Sequence, residues 1–302
     1  MLKKMELKYQ NKIYNILKDL NLIKEANLSL FHNRTRDHKK LNSYQDKKSK
    51  IIFLEKTKNK NYYLKKKTNK KKINVIKTTD GLYKRKKPLD SIRRFNSFKK
   101  FIKDKVILDF GSGNGDFVYL SKKISKKSYG IEPDFLKFKN KRNKKNNFFL
   151  DLETCFDLKL KFDTIFMFHV LEHLENPLEI LKKLNKLLTK NGSIIIEVPH
   201  VEDVLINSKI TSYKNFFLWS EHLMTHTKDS LFKFLKFSNY KKIKIIFYQR
   251  YSLKNHLGWF LLGLPGKEDK FKNIITKKTE TKYIELLKKY KKTDTLIAIA
   301  RK

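Results

Sequence analysis

The stretch that decides the fold lies at residues 106–117 and reads Val-Ile-Leu-Asp-Phe-Gly-Ser-Gly-Asn-Gly-Asp-Phe. Its first five residues are apolar except for Asp109, a composition typical of a buried parallel strand. Glycines then occupy alternate positions: Gly111, Gly113 and Gly115. Apolar residues follow at helical spacing: Phe117, Leu120 and Ile124. A strand, a glycine turn and a helix in this order let a nucleotide-like ligand approach bare backbone beside a helix N-terminus.

The spacing of the glycines separates two kinds of nucleotide site. The dinucleotide pattern G-x-G-x-x-G would require glycine at position 116, where the chain has Asp116. The run from Asp109 to Gly115 fits D-x-G-x-G-x-G instead. The segment Ser-Tyr-Gly-Ile-Glu-Pro at 128–133 predicts a second strand that ends in the acid Glu132, whose carboxylate can accept both ribose hydroxyls. An ordinary βαβ unit with glycines in its turn is the alternative.

The glycine turn together with Glu132 resembles motif I of the class I S-adenosylmethionine (SAM)-dependent methyltransferases. The resemblance implies an α/β fold with a seven-stranded Rossmann-like sheet whose last strand runs antiparallel. It implies SAM as the cofactor, with Glu132 on the ribose. Asp151, at the end of a third strand, would contact the adenine or, alternatively, cap the following turn. The predicted cofactor-binding residues are Asp109, Gly111, Ser112, Gly113, Gly115, Glu132, Asp151, Leu152 and His169.

Length and composition indicate one globular α/β protein with additions. The chain has 302 residues, and 40% of them are hydrophobic, which is enough for a core. Cys155 is the only cysteine, which excludes an internal disulfide and a multi-cysteine zinc site. No signal sequence opens the chain and no apolar run approaches membrane-spanning length, so we expect a cytoplasmic protein without a transmembrane segment.

The net charge of +41 (71 − 30) has two explanations. A strongly basic chain attracts nucleic acid. However, lysine is abundant here together with Asn, Ile, Phe and Tyr, as expected from coding DNA rich in A and T. Arginine, which suits bidentate phosphate contacts, is scarce. We favour compositional drift and keep nucleic acid as the alternative partner.

The chain divides by sequence into four segments. Residues 1–95 predict a basic N-terminal module of a helix and short strands, mobile between Lys56 and Lys72. Within it, the segments 33–37 and 46–54 resemble a module of some sugar and surface-polysaccharide methyltransferases. Residues 96–249 predict the SAM-binding core, with one helix at 90–103 and another that begins at Pro177 and ends at Gly192. Residues 250–291 are an insertion whose first part, before Gly263, is apolar. This composition predicts a lid, a homodimer face or a membrane-surface contact. Residues 292–302 predict the last strand.

The segment His-Val-Leu-Glu-His at 169–173 follows the fourth strand, where acceptor-side groups belong in such a sheet. It matches the zinc-peptidase pattern H-x-x-E-H, but that site needs both histidines on one helix face. Here the helix begins only after Asn176, so no metal is predicted. The segment resembles motif IV of the methyltransferases, which places His169 beside SAM and points Glu172 and His173 towards the acceptor or uses them to brace the loop.

A second group, Trp-Ser-Glu-His at 219–222, resembles the Glu-His pair found after the fifth strand in sugar C-methyltransferases. The resemblance makes His222 the candidate general base, oriented by Glu221, with His173 next. We therefore expect SAM-dependent methyl transfer to a sugar or nucleotide-sugar of surface-polysaccharide biosynthesis. The alternatives are an RNA methyltransferase that uses the basic N-terminal region and a non-catalytic SAM-fold interaction protein.

Overall fold

A computed structural model describes residues 11–57, 75–77, 83–85, 88–134 and 147–302. The lysine runs at 65–67 and 70–72 lie outside the described residues, as does the predicted mobile connection except for its first two residues. The chain forms two compact units. One contains residues 1–58, 167–186 and 194–302, and the other contains residues 59–166 and 187–193.

The N-terminal segment, for which the sequence predicts a helix and short strands, forms a helix and a small antiparallel sheet. Helix α1 spans Lys12–Asp19 and is capped by Asn11, whose side chain accepts a hydrogen bond from the Ile13 amide. The amide group of Asn11 also donates to the carbonyl oxygens of Leu54 and Leu223. Three strands follow: β1 (Leu28–His32), β2 (Ser43–Asp46) and β3 (Ile52–Leu54). They pair in chain order, and a later strand at Met224–Thr225 completes the sheet beside β3.

The segment before the glycine turn holds a hairpin and two short helices. The hairpin pairs β4 (Val75–Lys77) with β5 (Tyr83–Arg85). Helices α2 (Leu89–Ser97) and α3 (Lys99–Ile102) replace the single helix predicted at 90–103. The break lies at Phe98, whose backbone leaves the helical region (φ −114°, ψ 17°). Its ring is buried, and the ring centroids of Phe98 and Phe166 are 6.0 Å apart.

The glycine-turn unit contains parallel strands joined by helices. The elements in chain order are β6 (Val106–Phe110), α4 (Asp116–Ser121), β7 (Lys127–Ile131), β8 (Phe148–Phe149), α5 (Glu153–Asp157) and β9 (Phe162–Phe168). Strand β6 pairs in parallel with β7 and with β9, and β7 pairs in parallel with β8.

One predicted boundary is wrong. Helix α6 spans Pro177–Leu187, and strand β10 begins at once and spans Leu188–Pro199. Gly192 therefore lies inside a strand and does not end the helix. The reason for glycine there is close packing, because an added Cβ would stand 3.0 Å from the Leu188 side chain and 3.1 Å from the Phe162 carbonyl oxygen.

The remaining elements complete a seven-stranded sheet and confirm the predicted fold class. They are α7 (Thr211–Phe217), β11 (Met224–Thr225), α8 (Lys228–Phe237), β12 (Lys241–Tyr248), α9 (Leu253–Leu262), α10 (Lys277–Lys289) and β13 (Thr295–Arg301). The sheet order is β12-β13-β10-β9-β6-β7-β8, and β13 runs antiparallel to β12 as expected. Within the described residues, every helix is too short or too polar to cross a bilayer.

Candidate functional site

The glycine turn has the backbone that its sequence predicts. Gly111, Gly113 and Gly115 all have positive φ, at 81°, 53° and 79°. Such angles favour glycine, because a side chain clashes with the backbone there. An added Cβ at Gly113 would enter open space, whereas one at Gly115 would lie 2.8 Å from the Phe148 ring. The turn is thus open at Gly113 and packed at Gly115, so a ligand has access to the backbone at Gly113.

Glu132 reaches this turn from the end of β7. One of its carboxylate oxygens accepts a hydrogen bond of 2.7 Å from the Gly113 amide, and the other accepts one of 3.0 Å from the Asp134 amide. The side chain is buried, as are those of Asp109 and Ser112. The structure therefore brings together the acid and the glycine turn that the sequence pairs. Contact of Glu132 with a ribose stays a prediction.

Asp151 makes the turn-capping hydrogen bonds that are one of its two roles predicted from the sequence. Its Oδ1 accepts hydrogen bonds from the Thr154 hydroxyl at 2.7 Å and the Thr154 amide at 3.0 Å, and these bonds lower the pKa of the carboxyl. Asp151 thereby caps the turn that leads into α5, beside the buried side chain of Leu152. The adenine contact of these two residues stays a prediction.

His169 lies between two fully buried carboxylates. Its Nδ1 is 3.2 Å from Glu172 and its Nε2 is 3.1 Å from Glu197. Burial opposes a charge on the imidazole, but hydrogen bonds to both carboxylates hold the pKa of His169 above its ordinary value. The Arg250 guanidinium, 2.8 Å from the same Nε2, acts against that charge. The side chain of His169 is thus fixed by this ionic cluster, and its contact with SAM stays a prediction.

Glu172, His173 and His222 form a second cluster, joined to the first through Glu172. A 3₁₀ turn at Leu171–His173 carries the first two residues, and the Leu223 amide donates to the Glu172 carbonyl oxygen at 2.8 Å. This bond holds the 219–223 turn against the 3₁₀ turn. The imidazole rings of His173 and His222 lie edge to face, with centroids 4.7 Å apart. One ligand atom from each of the three residues lies within 4.8 Å of the others.

The predicted partner of His222 was its neighbour Glu221, whereas the acid in this cluster is Glu172. Burial raises the pKa of the Glu172 carboxyl, but hydrogen bonding to His169 and the charges of nearby histidines outweigh it and bring the pKa to about 2. Burial lowers the pKa of His222 to about 3, so its imidazole is neutral at neutral pH. The catalytic roles predicted for His222, Glu221 and His173 stay predictions.

An aromatic cavity of about 220 Å³ opens beside His222. The Arg36 guanidinium lies 4.9 Å from the Trp219 ring centroid and 5.2 Å from that of Phe216, so Arg36 stacks on aromatic rings. Sequence reasoning noticed neither the cavity nor its carboxylates. Its lining includes Arg36, Tyr213, Phe216, Phe217, Arg250 and Trp259.

Asp203 is a buried acid in the wall of this cavity. Its two carboxylate oxygens accept hydrogen bonds from the Tyr213 hydroxyl at 2.8 Å and from the Leu205 amide at 2.9 Å. Burial and the nearby Asp294 raise the pKa of Asp203 to about 7. The lining of the cavity therefore combines aromatic faces with groups that accept and donate hydrogen bonds.

A basic groove of about 920 Å³ lies on the same unit. The acids that line it are Asp46, Glu202 and Asp229. The Asp46 carboxylate accepts hydrogen bonds from the backbone amides of Lys24, Lys48 and Ser49. The lysines that line it come from distant parts of the sequence: Lys24, Lys48, Lys50, Lys228, Lys233, Lys236 and Lys291.

Residues 81–257, more than half of the chain, match the family of methyltransferase domains. The chain belongs to this family. Membership confirms the sequence prediction of a methyltransferase domain.

Curated relatives of this methyltransferase include tRNA-modifying enzymes. It is 32% identical over 122 residues to the tRNA U34 carboxymethyltransferase of Campylobacter fetus, a match that covers 37% of this chain and 43% of the relative. It is 29% identical over 162 residues to the enzyme of that name from Ruthia magnifica, covering 49% of each chain. The chain thus spans less than half the length of these relatives. Their names differ from the sugar methyltransferases that the sequence resemblance suggested, and the sugar acceptor is unconfirmed.

A solved structure has the same fold. A SAM-dependent methyltransferase from Archaeoglobus fulgidus superposes with a TM-score of 0.50 at 21% identity, covering 72% of this chain and 95% of that one. The likeness supports the α/β sheet. The predicted segment boundaries, cytoplasmic location and homodimer remain predictions.

Proposed function

We propose that this methyltransferase transfers a methyl group from SAM to a nucleoside of RNA, with tRNA as the first substrate to test. The observation that carries the proposal is the basic groove, where seven lysines outnumber three acids among the described residues that line it. A groove of this charge attracts a phosphate backbone and releases counterions on binding. The curated relatives, which are named for activity on tRNA, favour the same substrate class.

The aromatic cavity supplies a place for one unstacked base. Its volume of about 220 Å³ suits a single base-sized group and is small for a whole nucleotide. Enzymes that act on RNA bases take the target base out of the stack and hold it between aromatic or arginine planes. Tyr213, Trp259 and Arg36 provide such planes here.

The methyl of SAM is already activated by its bond to the sulfonium. The chain must therefore orient the acceptor, exclude water and take up a proton where the acceptor loses one. The neutral imidazole of His222, in the cavity wall, can accept that proton, and Glu172 can stabilise the resulting charge. We assign this supporting role to Glu172 in place of Glu221.

A sugar acceptor is the second candidate, and the carboxylates of the cavity favour it. Asp203 and Asp294 line the cavity together with Asn255, and such groups hydrogen-bond the hydroxyls of a sugar. These residues do not explain the lysine groove, which is why we place the sugar second.

Transfer of radioactive methyl from labelled SAM distinguishes the two acceptors. We expect label in unmodified tRNA transcripts and none in a panel of nucleotide sugars. A duplex DNA of equal length is the control for binding without reaction. Label in a nucleotide sugar but not in RNA would overturn the proposal, and SAM binding without any transfer would favour the non-catalytic alternative.

A further inference from the structure

We propose that Glu172, His173 and His222 together bind one divalent transition-metal ion, for which zinc is the best probe. Two imidazoles and one carboxylate are a donor set that zinc accepts with a fourth position left for water or substrate. This use of the triad goes beyond methyl transfer from SAM.

Each of the three residues has a buried donor atom without a protein partner. These atoms are Oε2 of Glu172 and Nδ1 of both His173 and His222, and none has a hydrogen-bond partner among the described residues. Glu172 is fully buried. Buried polar atoms are normally satisfied, so three orphans in one cluster indicate a missing ligand. An ion coordinated by these atoms would satisfy all three.

The distances allow binding after a small adjustment. One donor atom from each residue lies within 4.8 Å of the other two. Donors about 2.1 Å from a tetrahedral zinc ion lie about 3.4 Å apart. Rotation of the two imidazoles, which are already edge to face, is the movement required to close the remaining gap.

Surrounding contacts orient the ligands. The second oxygen of Glu172, Oε1, is 3.2 Å from His169, which is itself 3.1 Å from Glu197. Hydrogen bonds of this kind commonly fix the ligands of metal sites. The positive charge of Arg36 acts on His222 and opposes a cation, so the site depends on the Glu172 carboxylate.

The proposed metal site differs from the zinc-peptidase pattern H-x-x-E-H, which the position of the helix start excluded. That pattern pairs His169 with His173, but both ring nitrogens of His169 face carboxylates. The second histidine is His222, which lies 49 residues beyond His173 (222 − 173) and reaches the cluster through the 219–223 turn. The prediction of no metal considered only the pair His169 and His173.

An ion here would serve the acceptor cavity, because His222 belongs to both. A water molecule or acceptor oxygen bound to the ion would lose its proton more easily. His222 would then be a ligand of the ion and would not itself be the base. The inference rests on the proposed function for the place of the acceptor and replaces the base role that it gives to His222, yet metal binding is measured without any turnover.

The test uses the full chain after chelator treatment, titrated with Zn²⁺ by calorimetry and with Co²⁺ by visible absorption. We expect one ion per chain and the intense absorption of tetrahedral cobalt. His222→Asn and Glu172→Gln should each weaken binding at least tenfold. Glu179→Gln, at an exposed acid of α6, and His38→Asn remove comparable groups outside the triad and should bind as the unaltered chain does.

SAM titration of each variant separates metal loss from unfolding, because a folded variant still binds SAM. The inference is overturned if the unaltered chain binds no ion, or if the triad variants bind it as tightly as the two controls. Should Glu172→Gln fail to fold, His222→Asn alone decides. Methyl transfer to RNA by a chain that binds neither Zn²⁺ nor Co²⁺ would overturn this inference alone, whereas a metal-loaded chain inert towards RNA would overturn only the proposed function.

Discussion

At the scale of single residues, Asp203 in the cavity wall makes the free energy of unfolding depend on pH. Its folded pKa of about 7 lies above the ordinary value of 3.8, so between these pH values the folded chain holds a proton that the unfolded chain releases. This contribution to the free energy of unfolding is complete at low pH and is lost as pH rises towards 7, by up to about 1.4 kcal/mol per pH unit.

Asp203→Asn should remove that dependence. In urea unfolding at pH 5, 6, 7 and 8, we expect the unaltered chain to lose stability relative to the variant as pH rises. Asp157→Asn, at an exposed aspartate, is the matched control and should follow the unaltered chain. Parallel curves for Asp203→Asn and the unaltered chain would mean that Asp203 is ionised throughout.

The positions of candidate site residues were predictable where the sequence fixes them through one strand and one turn. The glycines between 111 and 115 require positive φ, and a strand of ordinary length brings Glu132 to the same edge, so this pairing is confirmed. The family resemblance assigned the acid that orients His222 to Glu221, and that role stays a prediction. Glu172 also lies beside His222, because a backbone hydrogen bond from Leu223 to Glu172 brings two distant turns together, which no local pattern records.

At the scale of elements, helix α9 packs one face and exposes the other. Trp259 is buried with its ring 5.0 Å from that of Tyr213, whereas its neighbour Phe260 is 47% exposed. We expect Trp259→Ala to lower the free energy of unfolding by about 3 kcal/mol or more, because it leaves a cavity in the core.

Phe260→Ala on the same helix should change stability by no more than about 0.5 kcal/mol. Denaturant unfolding monitored by far-UV circular dichroism measures both variants. Equal losses of stability in the two variants would show that α9 does not pack through Trp259. They would also contradict the assignment of Trp259 to the wall of the cavity.

Helix and strand boundaries were less predictable than the elements themselves. Leu188 is fully buried, so an apolar position there fits both a helix stripe and a strand. Gly192 looked like a helix end because glycine often is one, but tight packing against Phe162 explains it. In the same way, the apolar stripe at 90–103 did not reveal the break at Phe98.

At the scale of the whole molecule, the sequence predicts the sheet but not the basic groove. Alternating strands and helices follow from local periodicity, and the seven strands are confirmed. The groove collects lysines from 24–50, 228–236 and position 291, which only the fold brings together. From composition alone these lysines were indistinguishable from the rest of a +41 chain.

Changing three of these lysines should weaken RNA binding and its salt dependence. We expect Lys48→Gln, Lys228→Gln and Lys236→Gln combined to reduce the slope of log affinity against log salt by about 2 for single-stranded RNA. The same change at Lys278, Lys282 and Lys288, exposed on α10, alters net charge equally and should have much less effect. Equal effects would favour compositional drift over a specific groove.

The central claim is that the glycine turn and Glu132 hold SAM, and calorimetric titration with SAM tests it most directly. We expect one site per chain in the unaltered protein and at least tenfold weaker binding in Glu132→Ala, which loses charged hydrogen bonds worth about 1.5–3 kcal/mol each. Asp157→Ala, at an exposed acid in the same unit, should bind SAM normally. No heat with SAM, or unchanged affinity in Glu132→Ala, would contradict the account.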